Sequence, residues 1–402
     1  MAAAVVCRCP AMRRVLAASA KCPSSKGERS KHKGEKMTFR LHALVAVLLL
    51  PAIVFGQTSP SKGKPQASKP AAPASGGAYP PMSPQAKQRA EKVFELFNSG
   101  QTGALWASLS EGTRKTYGSE EKFVAAIRKL RENLGTETKM VDENQGPTMR
   151  TMGTIYSRLS EFSKVAPARV ISTIGVNEHG QVDTFLVGPE RTPYQGRFGG
   201  YKDVTKLKLP FSGEWFVDEG GRSTFQSAYF ASDDQRFSVD FVLLQNGRMF
   251  SGDGKDNSEY YCFGQPVLSP ADGLVVMVQD GFQDNEPGRP THDSPQGNML
   301  LISHGNSEFS LMNHLKQNSV KVKKGDKVKQ GDPVAECGNS GPSIVPHIHY
   351  QLQNSGGLPL PDSLPAQFVD YYADGKLVAS GEPERGQMVS NTAPSGAASG
   401  KK

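Results

Sequence analysis

The sequence is poor in cysteine, in long apolar runs and in histidine, and each shortage excludes something. Of five cysteines, Cys7, Cys9 and Cys22 precede Met37, so only Cys262 and Cys337 lie beyond it. Two cysteines cannot staple a disulfide-dense scaffold, so the chain has to bury an ordinary apolar core. At 402 residues it is long enough for two such cores. The most apolar stretch, residues 41–54, is broken by His42 and Pro51. It falls short of the roughly 20 apolar residues of a membrane-spanning helix. Of eight histidines, none stands between His179 and His292.

An excess of one charge is also lacking where folding is expected. The net +8 arises at the front, because residues 1–84 hold thirteen Lys and Arg against two Glu, a net +11, which leaves −3 for 85–402. The remainder is mildly acidic, and the basic overall balance gives no case for a nucleic-acid partner.

What is present starts at Met37, where the chain reads MTFRLHALVAVLLLPAIVFGQ. Arg40 forms a positive n-region, the apolar stretch follows, and Val54 and Gly56 suit the small-residue positions of a cleavage site before Gln57. Residues 37–56 are therefore expected to be a signal peptide, with Met37 the start and 1–36 an upstream artefact. Export to the periplasm or the extracellular space follows, with no transmembrane span after cleavage. An oxidising compartment predicts a Cys262–Cys337 disulfide, the alternative being two buried thiols.

Residues 57–84 (QTSPSKGKPQASKPAAPASGGAYPPMSP) contain almost no large apolar side chain and read as a flexible tether. The end of the chain, 380–402, reads the same way. Residues 85–200 open with three helical segments. AKQRAEKVFELFNSG puts Ala90, Val93, Phe94 and Phe97 on one face, and Gly100 stops it. LWASLSEGTRKTYG follows, then SEEKFVAAIRKLRENLG, whose Ser119, Glu120 and Glu121 mark an N-terminus. ARVISTIGV and QVDTFLVGPE read as strands. Helices followed by an antiparallel sheet make an α+β accessory domain, which resembles nuclear-transport-factor-like or cystatin-like modules.

From 205 to 375 the texture changes to short apolar runs between glycine turns, which predicts an all-β, antiparallel domain. Within it, Pro346-His347-Ile348-His349-Tyr350-Gln351-Leu352 is the sharpest chemical signal. In a strand, residues i and i+2 share a face, so His347 and His349 present two imidazoles side by side, as a zinc ligand beside a catalytic partner would. Alone, two histidines on an exposed strand look identical.

Other segments lead up to that pair. Gly264-Gln265-Pro266-Val267 runs to Asp272-Gly273, and Gly297-Asn298 leads to His304-Gly305. Asn313-His314-Leu315 comes next, then the glycine repeat from Val320 to Asp332 and finally Gly338-Asn339-Ser340-Gly341. This ordered series resembles the lysostaphin-type (LytM-like) zinc endopeptidase family from about residue 207 to 372. Several motifs in the right order are specific where each alone is not.

The resemblance implies Zn2+ as cofactor, His349 and Asp240 (in Phe237-Ser238-Val239-Asp240-Phe241) as metal ligands, and His314 and His347 flanking the attacking water as base and oxyanion stabiliser. It also implies a first histidine ligand a few residues before Asp240. Arg236 stands four before and Tyr229 further back. Asp233, Asp234 and Glu259 are candidate substitutes that spacing does not rank, and His292 lies in a polar loop that would have to fold over the site. His304, at a strand end, reads as structural.

The implied function is hydrolysis of peptidoglycan stem peptides or cross-bridges. The alternative is a catalytically degenerate peptidase-fold module that binds peptidoglycan or regulates another cell-wall hydrolase. A third reading, a biotin or lipoyl carrier suggested by the glycine repeat, fails because Asp326-Lys327 sits inside the repeat and a carrier has no use for two paired histidines.

Overall fold

The computed structural model describes residues 84–394 apart from 150–152, 178–179, 191–196, 233 and 358–360. The signal peptide, the tether up to residue 83, the upstream segment with its three cysteines, and Asp233 lie outside the described residues. No helix among those described is long and apolar enough to cross a membrane.

Four helices come first: α1 (Pro84–Ser99), α2 (Thr102–Ser108), α3 (Glu111–Tyr117) and α4 (Glu120–Leu134). The single helix expected over 105–118 is two. Leu109 leaves the helical conformation to bridge Val182, and the Ser110 side chain accepts from the Thr113 backbone N–H to begin α3. Ser119 caps α4 in the same way through Lys122. An antiparallel meander follows: β1 (Glu137–Thr148), β2 (Gly153–Phe162), β3 (Arg169–Val176) and β4 (Val182–Pro189), paired in that order. The helices bury Ala90, Val93, Phe94 and Phe97 against Tyr156, Ile174 and Phe185 of the sheet.

The second half is almost entirely strand. In chain order these are β5 (Glu214–Glu219), β6 (Val239–Val242), β7 (Pro266–Leu268), β8 (Gly273–Gln279), β9 (Asn298–Ser303), β10 (Phe309–Leu315), β11 (Lys327–Val328), β12 (Pro333–Glu336), β13 (Ile348–Gln353), β14 (Ser363–Leu364), β15 (Phe368–Ala373), β16 (Lys376–Gly381) and β17 (Met388–Ser390). One sheet runs β11-β8-β9-β10-β13-β6-β5-β17-β15-β16, with β14 on β13, and β7 pairs with β12 separately. The fold is thus helices and a small sheet followed by a large antiparallel sheet.

The end of the domain lies further along the chain than expected. β17 falls within 380–402, the span expected to be an unstructured tail, and it sits between β5 and β15 with Met388 and Val389 buried. Three residues suffice there because both neighbouring strands satisfy their backbone.

Trp215 on β5 shows how the core fixes the strand that later matters. Its ring is stacked on Phe211 with centroids 4.8 Å apart, and its indole N–H donates to Ser212 O at 3.0 Å. Phe211 in turn meets Phe241 of β6 at 4.9 Å. Trp215→Ala is expected to lower unfolding free energy by about 3–5 kcal/mol. A urea titration checks this as a fall in midpoint, and a change below about 1 kcal/mol would contradict the packing argument.

Candidate metal centre

β13 lies in the middle of the large sheet with every residue buried. Alternation sends Ile348, Tyr350 and Leu352 into the main core, leaving His347, His349, Gln351 and Gln353 on the opposite face. Register then decides what meets them. His349 stands directly opposite Asp240 on β6 and opposite Asn313 on β10. The His349 Nδ1 contacts Asp240 Oδ1 at 2.8 Å, and His347 Nε2 lies 3.8 Å from the same oxygen.

His314 arrives by a different device. The register of β10 against β9 slips between Met312 and Leu315, and His314 has φ +60°. This bulge re-aims a side chain that regular pleating would send elsewhere. The His314 ring comes to 4.9 Å from that of His347 and 5.7 Å from that of His349. One ring nitrogen from each of the three lies within 4.8 Å of the others, the arrangement a metal ion requires.

The hydrogen bonds also set the tautomers. A carbonyl oxygen only accepts, so His314 Nδ1 donates to Ser340 O at 2.9 Å and His347 Nδ1 donates to Val345 O at 2.8 Å. Both rings therefore keep an unprotonated Nε2. Burial pushes the His314 and His347 pKa values below the ordinary range, and for His314 the two neighbouring imidazoles add to the effect. For Asp240, burial alone would raise the carboxyl. The His347 and His349 imidazoles, with hydrogen bonds from His349 and Tyr229, overcome that and bring it down to about 2. The pocket thus sets two imidazoles whose charged form burial disfavours beside one carboxylate held below its ordinary range.

These residues fit a divalent cation on one further count. His349 Nε2 is buried with no hydrogen-bond partner. A buried polar atom left this way carries a free-energy penalty that a ligand removes.

The loop behind the cluster is held by close backbone contact. Gly341 has φ +70°, and a Cβ there would lie 2.4 Å from Gly297 N, so only glycine fits. Ser340 Oγ donates to Leu315 O at 2.7 Å and accepts from Asn298 N at 2.9 Å, which fixes the carbonyl that orients His314.

The remaining candidates fall outside the cluster. His304 bridges Asp272 O and Ser310 Oγ, both at 2.8 Å, and is structural as expected. His292 is exposed in its loop. Glu259 is engaged by Gly254 N at 2.6 Å, and Asp234 by the Ser232 hydroxyl. Arg236 is buried with its guanidinium 5.3 Å from the centre of the Phe230 ring. Tyr229 does reach the site, its hydroxyl donating to Asp240 Oδ2 at 2.9 Å. The expected disulfide is absent, since Cys262 and Cys337 are free, buried thiols. The Cys262 thiol donates to Pro346 O at 3.0 Å, and burial pushes the Cys337 thiol well up, so Cys337 is no ready thiolate.

The model of Peptidase family M23 matches residues 259–360, which contain His314, His347 and His349. This segment belongs to peptidase family M23. A peptidoglycan DD-endopeptidase of Vibrio cholerae, ShyA, is 34% identical to the chain over 118 residues, 26% of this chain and 24% of that protein. An uncharacterised metalloprotease of Haemophilus influenzae is 35% identical over 93 residues, 23% of this chain and 17% of its own length. A Pseudomonas aeruginosa lipoprotein, an NlpD/LppB homologue, is 28% identical over 93 residues, 23% and 27% of the two chains. The chain thus spans about a quarter or less of the first two curated relatives. Among solved structures, the catalytic domain of the M23 protein EnpA from Enterococcus faecalis is 20% identical with a TM-score of 0.22, covering 44% of this chain and 87% of that one. A zinc-containing peptidase from Vibrio cholerae is 16% identical with a TM-score of 0.26, covering 63% and 65%. Asp240 and Tyr229 lie upstream of the matched M23 segment, on strands and turns that the large sheet brings to it.

Proposed function

We propose that this protein is an exported zinc endopeptidase that hydrolyses peptide bonds in peptidoglycan, in stem peptides or cross-bridges. The observation that carries the reading is the convergence of Asp240, His314, His347 and His349 in one buried polar pocket of an M23 segment. Asp240 and His349 are the residues that would hold the ion. A bound zinc would polarise the scissile carbonyl and lower the pKa of a coordinated water to about 7.

The chain's own groups supply the rest. His347 and His314, locked as neutral Nδ1–H tautomers, direct Nε2 into the pocket. One takes a proton from the attacking water, and the other stabilises the developing oxyanion. The carbonyls of Val345 and Ser340 hold each ring for its task and favour the protonated state when it forms. The ShyA relative's name supports the substrate class, and the signal-like stretch 37–56 supports export.

A second reading keeps the fold without the chemistry: a degenerate module that binds the wall or regulates another hydrolase. Its support is Arg236, a cation turned onto Phe230 at the place where a histidine ligand is expected. Elemental mass spectrometry of the purified full chain separates the two, together with digestion of purified peptidoglycan sacculi. About one zinc per chain, and soluble peptide fragments bearing new amino termini, is the expected result. Sacculi that bind the protein but stay uncut after zinc incubation would establish the second reading.

A further inference from the structure

We propose that Asn313 positions the substrate, its carboxamide oxygen accepting a hydrogen bond from a backbone N–H of the peptide held beside the metal centre. The proposal rests on the peptidase reading above and deepens it, by naming an acceptor that the peptide meets and the kind of amide it must bring.

The bulge that re-aims His314 also delivers Asn313. Met312 and Leu315 both lie in the main core, so the two residues between them are left together on the opposite face. Asn313 stands opposite His349, which stands opposite Asp240, so the three form one row across β10, β13 and β6. Asn313 is 4% exposed, yet its Oδ1 has no hydrogen-bond partner among the described residues. Such atoms are rare, because a buried acceptor left unpaired is unfavourable. In the same row His349 Nε2 is equally unpartnered. The neighbours have no donor to offer Oδ1. His349 turns Nδ1 to Asp240 and His314 turns Nδ1 to Ser340 O. Leu311, Leu301 and Met299, which alternation puts on the same face, are apolar.

The chemistry of the pocket selects the occupant. A carboxamide oxygen only accepts, so whatever pairs with it brings an N–H or an O–H. Of His314 and His347, one meets the attacking water and the other the developing oxyanion. What these groups leave unserved is the donor of a peptide unit, and every residue but proline carries one. Asn313 Oδ1 takes such an N–H at a peptide unit beside the scissile bond. The contact is the same before and during bond breaking, so it holds the chain without driving the reaction. A residue whose nitrogen bears no hydrogen, such as proline or an N-methylated residue, would leave Oδ1 unpaired at that position and is refused.

The test uses the full chain with zinc, cross-linked muropeptide dimers from purified sacculi as substrate, and Asn313→Leu, which keeps the size and loses the acceptor. KM for the dimers is expected to rise roughly 10–100-fold, with kcat within about twofold of the parent and zinc content unchanged. The urea midpoint should hold or rise, because an apolar group has replaced an unpaired buried acceptor. Asn313→Ala repeats the KM reading with a smaller side chain, so that a clash made by leucine is not mistaken for loss of the acceptor. An unchanged KM in both variants overturns the proposal, since no N–H is then bound. A fall in kcat alone also overturns it, by giving Oδ1 to the attacking water. A marked drop in urea midpoint in both variants does so too, by making the amide structural. A parent that binds sacculi without cutting them overturns the peptidase reading alone. The proposal then requires Asn313→Leu to bind sacculi at least ~10-fold more weakly, and equal binding overturns it as well.

Discussion

His349→Ala is expected to abolish both zinc uptake and peptidoglycan hydrolysis, and to destabilise the apo-protein as well. His349 is 2% exposed and faces Asp240, which is wholly buried. Removing the imidazole leaves that carboxylate without one of the two hydrogen bonds that keep it ionised at low pKa. Breaking a buried pair from one side typically costs about 3–5 kcal/mol, because the surviving charge stays desolvated. Asp240→Asn in the same background removes that charge. The double variant is therefore expected to recover part of the stability while remaining metal-free, a non-additivity that urea unfolding detects. Zinc content in His349→Ala should fall from about one per chain to near zero, since one protein donor is gone from a small set. Undiminished zinc in this variant would mean that the ion sits elsewhere. Equal stabilities of the single and double variants would mean that the Asp240 charge costs nothing once the imidazole is gone.

Much of the second half was legible from the sequence, for a physical reason. Segments such as Asn298–Ser303 and Ile348–Gln353 are apolar runs bounded by glycine or polar turns, and they became buried strands. The two histidines on one face followed from the period of two. Their meeting with Asp240 did not, because it depends on the pairing of β13 with β6, strands about a hundred residues apart. The strand β1 escaped notice because most of it is exposed: Glu137–Thr148 is largely charged and polar, with Gly146 and Pro147 near its end. β16 and β17 escaped because their surroundings are short and hydrophilic, and what holds β17 in the sheet is pairing to β5 and β15. The disulfide expectation picked out two thiols that do adjoin each other in the core, but the structure leaves both free. In the structure the Cys262 thiol spends its proton on the Pro346 carbonyl. The Tyr229 contact was invisible because it needs a 3-10 turn to swing back over β6 by eleven residues.

His314 is where the fold and the proposed chemistry pull against each other, and the conflict can be measured. Its φ of +60° is unfavourable for any residue with a Cβ, by roughly 1–2 kcal/mol. The bulge keeps the ring beside His347, and Nδ1 recovers part of the loss by donating to Ser340 O. Both His314→Ala and His314→Gly should lower the rate of hydrolysis by about 10²–10⁴-fold with zinc content unchanged, the signature of a general acid–base group that is not a ligand. The two variants should then differ in stability in an unusual direction. Within a strand, glycine is ordinarily worse than alanine by roughly 0.5–1 kcal/mol. At this position both lose the same hydrogen bond, but only glycine escapes the left-handed strain. His314→Gly is therefore expected to unfold at a higher urea concentration than His314→Ala. The ordinary order would show that the bulge relaxes once the ring is gone. The strain would then be held by the imidazole, and the sheet register would not be imposing it. Zinc lost from both variants would instead make His314 a ligand, and would move the acid–base role to His347 alone.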